Sequence, residues 1–557
     1  MKQLIECVPN FSEGRDPSVI KQITDEIEAV EGVQLLNVDP GKATNRTVVT
    51  FVGEPVAVIE AAFRAIKKAA EVIDMSKHTG EHPRMGATDV CPLVPIAHIS
   101  MEETAEWAKR LAEKVGDPLS IPVFLYEAAA TRPERRNLAT IRAGEYEGLK
   151  EKLKNPDWQP DFGPAEFNAR AGATVIGARD FLVAYNVNLN TTSVRRANSV
   201  AFDVREQGRI VLDEKGKKVL DESGEPKRIV GACQSVKGIG WFIEEYGIAQ
   251  VSMNLTNLRD TPLHIAFEEC CKSADRRGLR VTGSELVGLV PKQVLIDAGK
   301  YFLKKQKRSA GVSEAELIKI AVKTFGLDEL SPFDPKQRVI EYLLEDDKNA
   351  PLSKMSLKIF ADETASESPA PGGGSIAAYV GSLGASLATM VANLSSHKKG
   401  WDDRWETFSE VAEEGQRLKD ALLHKVDEDT MAFNAIMSAM SLPKATDNEK
   451  KARKEALNAA TKLAIEVPLS TMRLALESFN IIQRMADIGN PNSVSDAGVG
   501  ALCARAAVRG AYLNVKINAS GFEEKDYVET VLAEANDMIL QAERWESDVL
   551  KIVESKL

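Results

Sequence analysis

The chain has 557 residues but only six cysteines, Cys7, Cys91, Cys233, Cys270, Cys271 and Cys503, and no Cys-x-x-Cys pair. That irregular spacing gives no disulfide framework in so long a chain, so reduced thiols and a cytoplasmic protein are expected. The start, "MKQLIECVPN", lacks an apolar run suited to a secretory signal, because Glu6 interrupts it. Positive charge is in deficit, with a formal net charge of −11. A diffuse acidic balance argues against broad binding to nucleic acid or to anionic membranes, so an anionic substrate must be held by local basic clusters. Such clusters occur at Arg132, Arg135, Arg136 and Arg142, at Arg195 and Arg196, and at Lys304, Lys305, Lys307 and Arg308. A solvated helix face is the competing reading for each.

Only Ile376–Leu394, "IAAYVGSLGASLATMVANL", combines membrane-spanning length with an absence of charge. It is rich in Gly, Ala and Ser rather than in large apolar side chains, which makes insertion marginal. Ser375, Ala378, Ser382, Ala385 and Thr389 instead suit close helix–helix packing, so a buried bundle helix is expected and no membrane span.

What is present is ordinary soluble composition, 44% hydrophobic and 27% charged, in a chain long enough for about three to five units. The first part alternates strand and helix patterns. "LIECV", "VQLLNVD", "RTVVTFVG" and "VCPLVPI" read as strands, and Pro17–Val30 and Pro55–Ile73 read as helices. The resulting β-α-β-β-α-β order is the ferredoxin-like plan. The order restarts with the strand "DFLVAYNVNL", a helix at 192–206, two strands about Tyr246-Gly247, a helix over Thr261–Ala274 and the strand "RVTGSELVGLVP". Between the helix at 192–206 and the strand that follows it, "EKGKKVLDESGEPKR" reads as a polar hairpin or loose loop. Helices follow at 291–306, 313–325 and 335–345. After the charged linker "EDDKNAPLSK", strand signals nearly vanish. Helical patterns run over 375–396, 403–440, 447–480 with a kink at Pro468, 493–514 and 524–555. The expected fold is thus an α+β half of two ferredoxin-like subdomains, 1–178 and 179–330, a helical linker at 331–355 and an all-α bundle at 356–557.

His78, Glu81 and His82 spell H-x-x-E-H, the signature of a class of zinc hydrolases. That motif needs a helix to bring both imidazoles to one metal. Gly80 lies inside it and Pro83 disfavours helical backbone at His82, so a loop is predicted and metal is not expected. A loop histidine is better suited to general acid–base work, its ordinary pKa lying near neutrality. Chemistry alone does not separate His78 from His82, although Pro83 constrains the backbone next to His82. Nearby polar groups at strand ends, Asn10, Ser12, Glu13 and Gly14, and then Asp39, Asn45 and Arg46, mark the same region as a site.

In the second half, Gly372, Gly373, Gly374 and Ser375 open a helix whose free N–H groups attract anions. Along the next helix, Leu422, Val426, Phe433, Ile436 and Met440 form an apolar stripe with one gap, filled by Asp429. A carboxyl group there is expected to be buried with a raised pKa, a combination common at active sites. Asp427, off the stripe, is expected to be solvated. A structural salt bridge is the competing reading for Asp429.

The motifs "ECVPNFSEG", "TNRTVVTFVG", "DMSKHTGEHPRMGATDVCP", "IRAGEYEGL", "DFGPAEFNARAGATVIGAR" and "VGLVP" resemble glutamate formiminotransferases. "APGGGSIAA", "VDEDTMAF" and "GAYLNVKIN" resemble formiminotetrahydrofolate cyclodeaminases, and the fused order is that of the bifunctional formiminotransferase-cyclodeaminase family. The resemblance implies transfer of the formimino group from N-formimino-L-glutamate to tetrahydrofolate, then closure to 5,10-methenyltetrahydrofolate with loss of ammonia, in histidine breakdown and one-carbon metabolism. It places the transferase histidine in H-P-R-M-G, hence His82. It places the cyclodeaminase aspartate in V-D-x-D, taken as Asp429. It maps the folate segment onto Asp161–Thr174, with Asp161, Phe162, Gly163, Pro164, Gly172, Ala173 and Thr174 as contacts. A substrate with two carboxylates calls for guanidinium donors, for which Arg46 and Arg84 are candidates. Asp39 would steady the amidinium or orient an imidazole. Tetrahydrofolate, with or without a polyglutamate tail, is the co-substrate and no metal is implied. A homo-oligomer built on dimers is implied as well. The polar insertion at 212–228 departs from the family pattern. A zinc hydrolase and a non-catalytic scaffold are the rival classes; stoichiometric zinc or detergent dependence would mark them.

Overall fold

The computed structural model describes residues 3–42, 44–80, 82–222, 224–344 and 351–557. It divides into two compact units, Met1–Val294 with Phe325–Leu343, and Leu295–Thr324 with Leu344–Leu557. Residues 295–324, inside the expected second subdomain, thus belong to the second unit.

The first unit opens with β1 (Leu4–Cys7), β2 (Asn10–Phe11), α1 (Pro17–Glu28), β3 (Val33–Gly41), β4 (Arg46–Gly53), α2 (Pro55–Val72) and β5 (Thr88–Ala97). Asp16 caps α1 by accepting from Ser18 N–H, and Pro17 starts the helix where no donor is needed. Alternation on the strands sends Cys7, Val49, Phe51 and Leu93 into a core shared with α1 and α2. The chain continues through α3 (Met101–Leu119), β6 (Val123–Glu127), α4 (Leu138–Arg142), α5 (Glu145–Lys152) and β7 (Thr174–Ala178). The sheet order is β3-β4-β1/β2-β5-β7-β6, with β5, β7 and β6 parallel. The sequence patterns do not anticipate β7, a five-residue strand that begins at Thr174, the last residue of the segment that the family resemblance assigns to folate.

The second sheet comes from the stretch β8 (Val183–Leu189), α6 (Val194–Val204), β9 (Arg209–Ile210) and β10 (Arg228–Ile229), which pair only with each other, β11 (Val236–Ile243), β12 (Ile248–Leu255), α7 (Leu263–Asp275) and β13 (Val281–Val287). Its order is β11-β12-β8-β13, antiparallel throughout. The insertion at 212–228 is more ordered than a loose loop. Leu212 pairs with Lys218 and Leu220 with Pro226, and Asp213 and Asp221 accept backbone N–H groups at two successive tight turns. The sequence reads twice as Val-Leu-Asp-Glu shortly before a glycine, and Gly216 N–H donates to the Asp213 carbonyl as Gly224 N–H does to that of Asp221.

Helices α8 (Lys292–Lys305) and α9 (Glu314–Phe325) follow. The region predicted as one helix at 335–345 is two short ones, α10 (Pro335–Arg338) and α11 (Ile340–Leu344). Most of the linker "EDDKNAPLSK" lies outside the described residues. The second unit is then α12 (Leu357–Thr364), α13 (Gly373–Ser396), α14 (Trp405–Ser441), α15 (Asp447–Ile488), α16 (Val494–Ala519) and α17 (Lys525–Glu554). α13 packs between α14 and α16. Although long and apolar enough to cross a membrane, α13 buries Ser375, Ala378, Ser382, Ala385 and Thr389 in the bundle. α15 runs through the buried Pro468 and on to Ile488, beyond the predicted end at 480. The apolar side chains around it keep that turn packed despite the missing N–H.

Candidate active sites

The polar groups predicted at the strand ends of the first unit come together. Asp39 pairs in register with Val48, as does Asn10, and Arg46 lies two residues away on the same strand. Asp39, Asn10 and Arg46 therefore share one face of the sheet. Asp39 sits within β3, not in the turn after it. Glu6, which the sequence reading did not single out as a site residue, lies on that face too, and burial pushes its carboxyl up to about 7.

His78 and His82 lie on a loop after a single 3-10 turn at Met75–Lys77, so no helix aligns them. Glu81 lies outside the described residues. The two imidazoles turn to different partners. Arg46 Nη1 contacts His82 Nε2 and lies 2.8 Å from Nδ1, while Arg46 Nε donates to Asn10 Oδ1 at 2.8 Å. His82 Nδ1 is 2.7 Å from the Pro83 carbonyl. The tautomer that satisfies all partners carries hydrogen on Nδ1, donated to the Pro83 carbonyl, and leaves the Nε2 lone pair to accept from Arg46. Burial, then the Arg46 guanidinium, holds the His82 pKa down at about 4, so the ring is neutral at physiological pH. Burial in turn lowers Arg46 to about 10.

Arg84 is 9% exposed and already engaged. Its Nη2 donates to Glu147 at 2.7 Å, its Nη1 to Glu145 at 3.2 Å, and its Nε to His78 Nδ1 at 3.2 Å. A substrate carboxylate would have to displace these acids. An open hollow of about 480 Å³ lies beside it, lined by His78, Thr79, Gly80, Gly144 and the two glutamates. Asp89 and its partner Arg142 complete the surroundings of His82. An acid in the otherwise apolar run "TDVCPLVP" was the available signal for Asp89.

The segment Asp161–Thr174 divides. At one end Asp161 accepts from Arg135 Nη1 at 2.8 Å and from Leu125 N–H at 2.9 Å, and Arg135 itself is 1% exposed. Arg135 and Arg142, two of the four arginines in that candidate anion cluster, are thus spent on internal carboxylates. Phe162 pairs beside Val123, with Gly163 and Pro164 following. At the other end Gly172 faces Gly86, and Ala173 N–H donates to the Met85 carbonyl at 3.0 Å. Gly172 and Ala173 therefore brace the H-P-R-M-G loop, while Thr174 begins β7.

In the second unit, two signals separated in sequence meet. Ser375 Oγ donates to Asp429 Oδ2 at 3.1 Å, and the Ser375 N–H also points to that carboxylate. A Cβ on Gly374 would overlap the Asp429 carboxyl, so only glycine lets the acid approach. The N-terminus of α13 faces an internal carboxylate, with Gly372 as N-cap and Gly373 as first residue. Burial raises the Asp429 pKa, and the bonds from Ser375 oppose that rise. Asn514, from "GAYLNVKIN", stands beside Gly373, a contact that sequence spacing did not reveal.

The apolar stripe needs correction. Leu422 and Val426 are buried, but Phe433 is 39% and Met440 51% exposed, because α15 covers the neighbouring face of α14 at Ala432 and Ile436. Asp429 is half-buried. Asp427 is not solvated: it is 4% exposed and accepts from Leu352 N–H at 3.1 Å and Ser353 N–H at 3.3 Å. A chain segment 75 residues away covers it, which helical periodicity cannot foresee.

Comparison with known proteins matches three family descriptions in chain order. They are "Formiminotransferase domain, N-terminal subdomain" over residues 4–179, "Formiminotransferase domain" over 184–345 and "Formiminotransferase-cyclodeaminase" over 356–537. The chain is 42% identical to formimidoyltransferase-cyclodeaminase of Dictyostelium discoideum, over 100% of both chains. It is 44% identical to glutamate formimidoyltransferase of Streptococcus pyogenes serotype M1, over 54% of this chain and 94% of that one. It is 37% identical to methenyltetrahydrofolate cyclohydrolase of Methylorubrum extorquens, over 36% of this chain and 97% of that one. The chain is a bifunctional enzyme, a transferase half fused to a cyclodeaminase half. It belongs to the formimidoyltransferase-cyclodeaminase family.

Proposed function

We propose that the first unit transfers the formimino group of N-formimino-L-glutamate to N5 of tetrahydrofolate, and that the second unit closes the product to 5,10-methenyltetrahydrofolate with release of ammonia. These steps belong to histidine breakdown and one-carbon metabolism. The observation that supports the transferase reading most directly is a neutral, half-buried His82 held by Arg46. In transfer, N5 attacks the formimino carbon and a tetrahedral adduct forms. N5 loses a proton, the glutamate nitrogen gains one, and the C–N bond to glutamate breaks. His82 Nε2 takes the first proton and returns it to the leaving nitrogen. Arg46 receives a substrate carboxylate, and Asp39 on the same sheet face steadies the amidinium.

In the second unit N10 attacks the same carbon. N10 loses its proton, the amidine nitrogen gains one and leaves as ammonia. Asp429 shuttles that proton, and its anion stabilises the cationic methenyl product. Gly372, Gly373, Gly374 and Ser375 form the surface on which the folate lies against Asp429. The segment Asp161–Thr174 holds folate in the first unit, where Gly172 and Ala173 adjoin the His82 loop. Tetrahydrofolate with a polyglutamate tail is accepted as well.

The β-α-β-β-α-β order of both sheets supports two ferredoxin-like subdomains, 1–178 and 179–330, before a linker at 331–355 and the cyclodeaminase half at 356–557. Leu383, Met390 and Leu394 on α13 and Val499, Leu502 and Leu513 on α16 leave exposed apolar side chains on two neighbouring helices. That surface supports a homo-oligomer built on dimers. Sedimentation of the full chain at micromolar concentration is expected to give a dimer or a multiple of it; a monomer alone overturns the assembly.

The activity is tested in one assay with formiminoglutamate and tetrahydrofolate. Methenyl absorbance and ammonia are expected to rise together. Neither rising, with folded protein, sinks the proposal.

A further inference from the structure

A chain of hydrogen bonds outside the reacting groups links five segments of the first unit. Glu147 on α5 accepts from Arg84 Nη2 at 2.7 Å. Arg84 Nε donates to His78 Nδ1 at 3.2 Å. That bond fixes the His78 tautomer, so Nε2–H donates to the Asn45 carbonyl at 2.9 Å. The Asn45 side chain then spans two loops. Its Nδ2 donates to the Thr79 carbonyl at 3.0 Å, and its Oδ1 accepts from Gly14 N–H at 3.0 Å. Asn45 itself is held at φ +49°, a left-handed conformation that asparagine tolerates. Gly80 lies so close to the backbone at Thr44 that a Cβ would strike its carbonyl, which locks the 78–80 loop onto the turn before β4. The next residue after Asn45 is Arg46, whose guanidinium contacts His82 and Asn10.

We infer that Arg84, His78 and Asn45 are positioning residues that hold Arg46 against His82, and that Arg84 is not itself the substrate's carboxylate clamp. This rests on the reading of His82 as the transferase's proton carrier. Three observations favour it. Arg84 has its donors turned onto Glu147, Glu145 and His78. Each link is a directional bond with a defined donor. Its inner end is the residue directly preceding Arg46. Positioning networks of this kind act through geometry, so small displacements at the far end cost rate at the reacting one.

The charges facing His82 are Arg46 on β4, Arg142 on α4 and Asp89 on β5, with the Pro83 carbonyl accepting at Nδ1. Loosening Arg46 removes one of the influences that keep His82 neutral in acid, so the His82 pKa rises. The test is kcat/KM for formimino transfer against pH, on the full-length protein, for wild type, Arg84→Gln, His78→Ala, His78→Gln and Glu147→Gln. The acid limb is expected to move up by about one pH unit in Arg84→Gln and His78→Ala, a shift within the ordinary environmental range for histidine. Because Arg46 also receives a substrate carboxylate, KM for formiminoglutamate should rise, but by a smaller factor than kcat falls. His78→Gln, whose amide N–H can still reach the Asn45 carbonyl, should return the limb toward wild type. Glu147 is 63% exposed, so Glu147→Gln keeps the fold if the others do not, and should shift the limb less in the same direction. An unmoved limb in all folded variants overturns the inference, as does a large rise in KM for Arg84→Gln with kcat unchanged. Failure of the underlying reading looks different: wild type would then show no acid limb and His82→Ala would keep transfer.

Discussion

His82→Ala is expected to lower formimino transfer by about 10²–10⁴-fold, the usual contribution of a positioned proton carrier, while leaving cyclisation of supplied 5-formiminotetrahydrofolate intact. Two features set the size of this effect. Both N5 and the leaving glutamate nitrogen change protonation in transfer, so one imidazole serves twice. The His82 ring is also kept neutral, with its pKa at about 4. The sign follows: protonated below that value it cannot act as base, so transfer in the wild type should fall only below about pH 4 on the acid side. The two halves separate the outcomes cleanly, because Asp429 lies in the other compact unit. Transfer at the wild-type rate in a folded His82→Ala protein would remove the assignment.

Asp429→Asn is the counterpart. The carboxamide keeps the shape and can still accept from Ser375, but it cannot shuttle a proton or carry negative charge opposite the methenyl cation. Growth of methenyl absorbance from 5-formiminotetrahydrofolate should drop by about 10²–10⁴-fold, and transfer should persist. The raised Asp429 pKa keeps the protonated acid present at higher pH than an ordinary carboxyl, so the cyclisation profile should show its carboxyl limb displaced upward. Gly374→Ala supplies an independent arm. Its new Cβ would overlap the Asp429 carboxyl, so the acid must move, and cyclisation should fall with both side chains of the Ser375–Asp429 bond still present. Unchanged cyclisation in Asp429→Asn would return that residue to a structural role.

Local pattern was enough for much of the architecture. Alternation on "RTVVTFVG" names the buried face of β4, and Val49 and Phe51 lie there. Small residues every three or four positions on α13 identify its packing face. Gly80 and Pro83 were enough to deny a helix to H-x-x-E-H. Pattern failed where the partner is distant in sequence. Asp427 reads as solvent-facing on a helical wheel, yet Leu352 and Ser353 cover it. Phe433 and Met440 read as core, yet α15 packs on Ala432 and Ile436 instead and leaves those two side chains exposed.

The sequence by itself determined the two-part order, the strand–helix periodicities, the loop at His78–His82 and a family resemblance that the comparisons bear out. Those are properties of neighbouring residues and of motif text. Only the tertiary structure decided what each charged group faces. Arg84 meets Glu147 across 63 positions, and Ser375 meets Asp429 across 54. Whether a guanidinium is free for substrate, or a carboxyl is desolvated, depends on packing between segments that no local period encodes.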